Sequence, residues 1–374
     1  MKKYKLLYFV SEDEYFLSHK IDQARSVLKS NYEILVVSKF HKNEKKIQKL
    51  GFKTRNLDFN RKSINPFNEI IRFLHFCVII FSYKPDLIQS FALKPILYSA
   101  LISKFVRKTK IIMCVVGLGY LFINKKTKTK VIKKIYLTLL RFFLRKKDIV
   151  FVFQNNDDKK EFIKNKITGS SKIKIVKGSG IDIRRFKKKK VKKIYDLIFH
   201  SRILYDKGFL ELIEAIKSLK NKRKISVLVL GSPDQSNRSS IKTYKLRKWE
   251  KERLIIWKQK KTNVIPYLQR SKIAILPSYR EGLPKSLLEA ASCELPIIST
   301  NVVGCREICL NNFNGLLVPP KDSISISVAI EKILSNPKLS NFYGKNGREL
   351  IKEKFSNTII QRQFLKIYEE CLLK

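Results

Sequence analysis

The chain has 374 residues, of which 79 are lysine or arginine and 31 are aspartate or glutamate, so its formal net charge is +48. Its 44% of hydrophobic residues can build packed cores, which excludes disorder for most of the chain. At about 100 to 200 residues per domain, this length predicts two domains. No apolar run approaches the roughly 18 to 20 residues that span a bilayer, so we expect no transmembrane helix.

The positive charge has two interpretations. Lysine is spread over almost every segment beside abundant isoleucine, asparagine, phenylalanine and tyrosine, which is typical of an AT-rich genome. Alternatively, the charge attracts a polyanion, either nucleic acid or an anionic membrane. A nucleic-acid-binding protein would carry a compact basic module interleaved with aromatics, whereas the charge here is diffuse. We therefore expect no nucleic-acid partner.

The cysteines are scattered without paired spacing, as in a reducing compartment, and we expect a cytoplasmic protein. They are Cys77, Cys114, Cys293, Cys305, Cys309 and Cys371. Cys305 and Cys309 are close in sequence, but no histidine or further cysteine lies near them. Ordinary thiols explain this pair better than a metal site does, so we expect no metal.

Short apolar runs alternate with helical patterns along the first half. The first run, residues 5–10, follows a basic N-terminus as in a signal peptide, but it is short and meets acidic residues 12–14, so we interpret it as a strand. Further strands are predicted at 34–37, 86–90, 111–116, 149–154 and 173–176, and helices at 17–30, 67–83 and 131–145. The alternation predicts a Rossmann-like, doubly wound α/β domain over residues 1–186.

The pattern begins again after a basic segment. Residues 187–193 are a run of like charge without apolar periodicity, which predicts a solvated linker. Strands are then predicted at 196–200, 225–231, 272–277, 296–300 and 315–318, giving a second Rossmann-like domain over residues 194–356. Residues 357–374 have the apolar spacing of an amphipathic helix, which we expect to pack back on the first domain. Two such domains are expected to face a cleft where ligands bind.

The segment from Pro277 to Ala290 carries the strongest chemical signal. A strand ends before it, Gly282 allows a close turn, and Pro284 suits the first position of a helix. The free N–H groups of Ser286 and Leu287 would then form an anion site at the helix start, where a diphosphate would fit.

Two carboxylates, Glu281 and Glu289, flank this predicted phosphate site. One lies in the loop and the other lies more than one turn inside the helix, so they cannot share one face. Carboxylates accept hydrogen bonds from sugar hydroxyls, and two around a phosphate site suit a nucleotide-sugar. The alternative is that Glu281 caps the helix and Glu289 is a surface residue.

A second group follows the predicted strand at 196–200. Arg202 and Lys207 leave the carboxyl end of that strand, where both could neutralise a diphosphate. In so basic a chain they could equally be solvated charges.

These residues form two spaced motifs, Glu-Gly-Leu-Pro-x-x-x-x-Glu-Ala from Glu281 and Arg-x-x-x-x-Lys-Gly from Arg202. Together they resemble family 4 glycosyltransferases of the GT-B fold. The resemblance extends to residues 178–182, 304–307 and 314–319, and so to essentially the whole chain. It implies a bacterial enzyme of O-antigen, capsule, lipopolysaccharide or lipid-linked oligosaccharide synthesis, which transfers a hexose or N-acetylhexosamine from a nucleotide-sugar, with UDP as the expected nucleotide.

The resemblance also implies roles at matching positions. Glu281 would contact the donor sugar near the reacting centre, and Glu289 would hold the ribose hydroxyls. Arg202 and Lys207 would bind the diphosphate and stabilise it as it leaves, because negative charge develops on the diphosphate in the transition state. Family members retain the anomeric configuration and generally need no metal, and no Asp-x-Asp motif placed to chelate one is present here.

The first domain offers candidates for the acceptor side. Gly117 and Gly119 resemble the Gly-Leu-Gly segment of bacterial enzymes that extend lipid-linked oligosaccharides, and they stand where many relatives carry a histidine. Glu12, Asp13 and His19 resemble the first loop of polysaccharide glycosyltransferases, and any of them could be a base. The alternatives are a tight turn without a ligand at the glycines, and a helix N-cap at Ser18 with a surface His19.

The resemblance implies an undecaprenyl-diphosphate-linked glycan acceptor, and hence a place on the cytoplasmic face of the inner membrane. The predicted helix at 131–145 mixes basic and large apolar residues, which suits either an interfacial helix on anionic lipid or an ordinary packed helix with a basic outer face. The alternative activity is a nucleotide-sugar 2-epimerase of the same architecture, which should lack the pair of motifs.

Overall fold

A computed structural model describes residues 3–58, 65–123, 126–144, 149–168, 171–234, 237 and 239–373. The chain divides into a first unit, Met1–Ser179 with Asn357–Lys374, and a second unit, Gly180–Ser356. Each unit has its own parallel sheet with helices on both faces, so the prediction of two doubly wound α/β domains is confirmed.

The described part of the first unit contains a sheet of seven parallel strands in the order β3-β2-β1-β4-β5-β6-β7. The strands are β1 (Tyr4–Glu12), β2 (Tyr32–Lys39), β3 (Lys53–Asn56), β4 (Leu87–Phe91), β5 (Lys110–Val115), β6 (Ile149–Phe153) and β7 (Lys172–Ile175). The central strands are largely buried because helices cover both of their faces. The strand order reverses between β1 and β4, where Leu6 is paired with Leu87.

Helices of the first unit pack on both faces of this sheet. They are α1 (Asp13–Tyr15), continued by a π-helical turn (Phe16–Lys20) into α2 (Ile21–Leu28), then α3 (Glu44–Lys49), α4 (Pro66–Tyr83), α5 (Leu93–Ile102), α6 (Gly119–Ile123), α7 (Thr127–Phe143) and α8 (Asn156–Lys164). Buried side chains of α4, α5 and α7 belong to one core, which places these three helices on the same face. Side chains of α2 fill the other core.

The described part of the second unit contains six parallel strands in the order β10-β9-β8-β11-β12-β13. The strands are β8 (Tyr195–His200), β9 (Val227–Leu230), β10 (Ile256–Lys258), β11 (Ser271–Leu276), β12 (Ile297–Thr300) and β13 (Gly315–Val318). The helices are α9 (Phe209–Lys220), α10 (Thr243–Lys251), α11 (Ile265–Gln269), α12 (Lys285–Ser292), α13 (Ser323–Leu334) and α14 (Pro337–Lys354). Here the strand order reverses between β8 and β11, and parallel sheets bind ligands at the carboxyl ends of strands at such a reversal.

The last helix, α15 (Asn357–Leu372), belongs to the first unit and fills the core that α2 also faces. Its Tyr368 hydroxyl lies 3.0 Å from the Tyr8 hydroxyl, accepts a hydrogen bond from the Gln23 amide at 2.8 Å and donates to the Gln89 amide oxygen. These groups are all buried, and burial raises the pKa of Tyr368 far above its ordinary value. The helix therefore completes the first unit with a buried polar network as well as apolar contacts.

The boundary between the units differs from the one expected at residues 187–193. The chain enters the second unit at Gly180, because the Ile181 N–H donates to the Phe355 carbonyl at 2.9 Å and both Ile181 and Phe186 are buried in the second core. The basic segment 187–193 is an irregular and mostly exposed stretch inside the second unit. Its last lysine, Lys193, donates to main-chain carbonyls ahead of and at the start of β11. The segment is solvated as expected, but it does not join the two units.

Candidate functional site

Two loops meet at the strand reversal of the second unit, one after β8 and one after β11. The Tyr279 N–H donates to the Asp206 carbonyl at 2.9 Å, so the loops touch through their backbones. Gly208 has a φ of +66°, and a Cβ there would lie 1.9 Å from the Pro277 carbonyl oxygen. Glycine is required at this position both for its conformation and for the close approach of the two loops.

Glu281 lies in the loop between β11 and α12, where it is bonded to two side chains. The Lys207 ammonium and the Ser278 hydroxyl both donate to its Oε1, the second at 2.6 Å. The side chains of Glu281 and Lys207 are only 12% and 13% exposed. The structure therefore joins two residues that sequence separated by 74 positions, and it excludes a solvated charge at Lys207.

Glu289 lies on α12, and a histidine holds its carboxylate. His200 Nε2 is 2.8 Å from Oε2, and the Lys285 ammonium is 3.7 Å from Oε1. Burial alone would raise the pKa of Glu289, but the hydrogen bond and charge of His200, with two further cations, outweigh it and hold the pKa below its usual range. Glu289 is 12% exposed, so the interpretation as a surface residue is wrong.

His200 is the site residue that sequence reasoning missed. It is the last residue of β8 and is itself nearly buried. A signal was available, because a strand end at the reversal of a doubly wound sheet is a place where polar side chains gather. Its partner lies 89 positions further along the chain, and no local pattern indicates that contact.

Arg202 takes a different direction from Lys207. Its guanidinium donates to the Asp234 carboxylate at 2.8 Å, and its side chain remains 53% exposed. Among the described residues, no hydrogen bond joins Arg202 to Glu281 or Lys207. The two cations of the Arg-x-x-x-x-Lys motif thus stand apart, one paired in the site and one at its exposed edge.

The start of α12 corrects one part of the predicted anion site. The helix begins at Lys285 with Pro284 as its cap, so the proline lies one position earlier than expected. The Leu287 N–H donates to the Pro284 carbonyl at 3.1 Å. Because this N–H group already closes the first helical turn, it is not offered to a phosphate. The binding of a phosphate by the Ser286 N–H stays a prediction.

The loop that carries Glu281 and Gly282 is packed against the backbone of Gly304. That glycine has a φ of +80°, and a Cβ there would lie 2.6 Å from the carbonyl oxygens of both Glu281 and Gly282. The Glu281 N–H donates to the Val303 carbonyl at 3.0 Å, and the Thr300 hydroxyl donates to the Ser278 carbonyl. The segment after β12 therefore fixes the position of the Glu281 loop.

In the first unit, Asp13 has a structural role that corrects its assignment to the acceptor side. Its carboxylate is fully buried and accepts the N–H groups of Glu14, His41 and Asn43 at 2.7 to 3.1 Å. Burial alone would raise the pKa of Asp13, but these hydrogen bonds outweigh it and hold the pKa below its usual range. A buried, stably ionised carboxylate with these partners cannot act as a base toward an acceptor.

His19 and the two glycines keep their candidate status with a clearer local geometry. His19 lies on the π-helical turn, with Nδ1 2.7 Å from the Ser18 hydroxyl and its ring stacked on Tyr15. Ser18 donates to the Glu14 carbonyl at 2.6 Å, so it is not a helix N-cap. Gly117 and Gly119 have φ values of +123° and +54°, which explains glycine at both positions by backbone conformation. Glu12 is the last residue of β1, and its place on the acceptor side stays a prediction.

Two family models match the chain, one for each unit. Glycosyl transferases group 1 matches residues 180–350, and glycosyl transferase 4-like matches residues 5–155. The chain belongs to the group 1 and 4-like glycosyl transferases. This glycosyltransferase has the GT-B fold, as the resemblance implied, and neither model describes an epimerase.

Its relatives include enzymes of bacterial glycan synthesis. One is the N,N'-diacetylbacillosaminyl-diphospho-undecaprenol alpha-1,3-N-acetylgalactosaminyltransferase of Campylobacter jejuni, 26% identical over 91% of this chain and 92% of the relative. Another is the UDP-Gal:alpha-D-GlcNAc-diphosphoundecaprenol alpha-1,3-galactosyltransferase of Escherichia coli, 29% identical over 65% of each. A solved glycosyltransferase from Rickettsia africae has a TM-score of 0.78 at 21% identity, covering 100% of this chain and 99% of its own.

The residues that the structure describes offer neither a metal cluster nor a membrane-spanning helix. They contain no group of three or more histidine, cysteine, aspartate or glutamate side chains arranged to hold a metal ion. They also contain no helix that is both long enough and apolar enough to cross a bilayer.

The contact between His200 and Glu289 predicts how stability depends on pH. Glu289→Ala leaves a buried imidazole without its partner, so we expect a loss of about 1 to 3 kcal/mol in the free energy of unfolding at pH 7. A carboxylate with a depressed folded pKa stabilises only while it is ionised, so the difference from the wild type should shrink as the pH falls below about 4.

Urea unfolding followed by tryptophan fluorescence measures this, because Trp249 and Trp257 both lie in the second unit. Glu349→Ala is the control, since Glu349 is 60% exposed in its pair with Lys352 and should change stability little. A pH-independent difference for Glu289→Ala would show that the carboxylate charge is not what the site stabilises.

The packing of Gly304 predicts a second effect. Gly304→Ala must displace the loop of Glu281 and Gly282, so we expect sugar transfer to fall about tenfold or more while the fold survives, as misplacement of a reacting group does. Gly347→Ala is a matched control, because Gly347 lies inside α14 and a Cβ there meets its nearest atom at an ordinary 3.5 Å. Equal transfer rates in the two variants would contradict the role given to the Gly304 contact.

Proposed function

We propose that this glycosyltransferase moves a hexose or N-acetylhexosamine from a UDP-sugar to a lipid-linked bacterial glycan, with retention of configuration. The observation that carries the proposal is the pair of nearly buried carboxylates at the strand reversal of the second unit, each held by its own nitrogen partner. Undecaprenyl diphosphate as the acceptor's carrier is supported by the names of both relatives, and UDP as the donor's nucleotide by the name of the Escherichia coli relative.

The donor would bind in the second unit. Glu289 uses Oε2 for His200, and the Lys285 ammonium is 3.7 Å from its Oε1, so this carboxylate can still accept a hydrogen bond from a ribose hydroxyl. Glu281 would accept a hydrogen bond from a hydroxyl of the donor sugar. Lys207 donates once to Glu281, and an ammonium has three donors, so it can also bind the diphosphate.

Transfer breaks the bond between the sugar and the diphosphate and forms a bond to an acceptor hydroxyl, which loses its proton. Negative charge grows on the leaving diphosphate during this step. Lys207 lies in a largely water-excluded position, where a fixed cation stabilises that charge without reorganising, and Arg202 could add to it from the exposed edge. With these cations in place, we propose that the reaction needs no metal.

The acceptor would bind in the first unit. With Asp13 excluded, Glu12 and His19 are the candidate bases, and Gly117 and Gly119, which have no side chain, would let the acceptor come close to the backbone. A lipid-linked acceptor would hold the enzyme at the cytoplasmic face of the inner membrane. Epimerisation is the weaker hypothesis, because both family models and both relatives are of glycosyl transfer.

Nucleotide binding tests the donor site directly. In calorimetry with UDP, GDP, ADP and CMP in the presence of EDTA, we expect selective binding of UDP. Glu289→Ala should weaken it about tenfold to a hundredfold, the effect of one charge-assisted hydrogen bond. Unchanged affinity in this variant, or binding that EDTA abolishes, would contradict the ribose role or the metal-free site respectively.

Transfer by Glu281→Gln tests the reacting centre. The amide keeps the shape of the side chain but loses the charge that Lys207 and Ser278 contact, so we expect transfer to fall about 100-fold or more while UDP binding persists. Glu349→Gln, at an exposed position, is the control. Turnover near that of the wild type would remove Glu281 from the mechanism.

A further inference from the structure

Helix α4 is apolar on its outer side as well as on its inner side. Phe76, Ile79 and Ile80 are buried against the sheet. Six other large apolar side chains of the same helix are 51 to 77% exposed: Phe67, Ile70, Ile71, Leu74, Val78 and Phe81. Soluble proteins rarely keep so many large apolar residues together in water, and such a surface usually marks an interaction site.

These six residues form one stripe. At 100° per residue they fall within an arc of about 100°, and they extend about 21 Å along the helix axis. The two charged residues of α4 lie on the other side of the helix, where Arg72 is 2.7 Å from Glu69, which also binds Lys94 and Tyr98. The outer stripe of α4 therefore contains no charge.

The stripe lacks the lysine that is spread over almost every other segment of the chain. Lysine and arginine make up 79 of the 374 residues, yet α4 has no lysine and one arginine among its 18 residues, and that arginine is paired with Glu69. The exposed positions of the stripe are occupied by phenylalanine, isoleucine, leucine and valine instead.

Exposed cations lie on the same face of the sheet as the stripe. α7, which shares a core with α4, exposes Val131, Ile135 and Phe142 among exposed lysines and arginines, and the loop after α5 exposes Phe105 in the same way. The exposed cations are Lys104, Arg107, Lys108, Lys128, Lys130, Lys134 and Arg141. Arg145, also assigned to this helix from the sequence, lies outside the described residues. Basic side chains with interspersed aromatics beside an apolar helix face match an anionic bilayer surface.

We propose that the outer stripe of α4 inserts into the interface of an anionic lipid bilayer, with the cations of α7 and of the loop after α5 contacting lipid headgroups. The helix lies flat, because a bilayer buries a stripe of this length when the helix axis runs parallel to its surface. The occupant is a membrane and not nucleic acid, because the uncharged stripe is the largest feature of this face. Such docking would bring the first unit to a lipid-linked acceptor, and this last step rests on the proposed function.

Vesicle binding tests the inference without any activity assay. Full-length protein is sedimented with vesicles of phosphatidylglycerol and phosphatidylcholine, and with phosphatidylcholine alone. We expect Ile71→Gln with Val78→Gln to lower binding to the anionic vesicles at least tenfold. The matched control is Ile324→Gln with Val328→Gln on α13, which removes two equally exposed apolar residues from the second unit and should bind as the wild type does.

Three outcomes would overturn the proposal. The first is that the wild type does not bind anionic vesicles, and the second is that the α4 variant and the control variant bind them equally. The third is that the wild type is a dimer that the α4 substitutions dissociate, which would assign the stripe to a second copy of the chain. UDP binding by the same α4 variant is measured in parallel. If the variant binds UDP and its vesicle binding is unaffected, docking through α4 is wrong and the proposed transfer stands. If the substitutions lower vesicle binding but no UDP binds, docking through α4 stands and the proposed transfer is wrong.

Discussion

A carboxylate can be buried only with a partner, and this constraint organises the second unit. Glu281 and Glu289 are both close to fully enclosed, and an unpaired charge in such a place would cost several kcal/mol. Lys207 and His200 supply the partners from the end of β8, so the two loops must meet. The close approach of Gly208 to Pro277, and of Gly304 to the Glu281 loop, then follows from the need to hold these pairs together.

The strand order makes such pairing possible. Because the order reverses between β8 and β11, the helices that follow these strands lie on opposite faces of the sheet, and the two loops meet at a shared edge. Residues 74 and 89 positions apart in sequence meet there. The charge of each carboxylate is thereby balanced within the unit.

Sequence patterns predicted the fold better than the contacts. The buried strands and long helices were evident from apolar runs and spacing, but β3 and β10 were not, because these short edge strands, Lys53–Asn56 and Ile256–Lys258, carry too few apolar residues to show a pattern. Spaced motifs indicated Glu281, Glu289 and Lys207. They could not show that Asp13 turns inward to cap backbone N–H groups, that Leu287 closes a helical turn, or that His200 reaches Glu289, since each depends on a partner distant in sequence or on local backbone geometry.

The return of α15 to the first unit sets an order of assembly on the ribosome. The second unit is one uninterrupted stretch of chain and can fold as soon as it has emerged. The first unit is started earlier, yet until the last helix appears its Tyr8, Gln23 and Gln89 side chains lack Tyr368, and one of its two apolar cores stays open. The part of the protein that is synthesised first is therefore the part that is finished last.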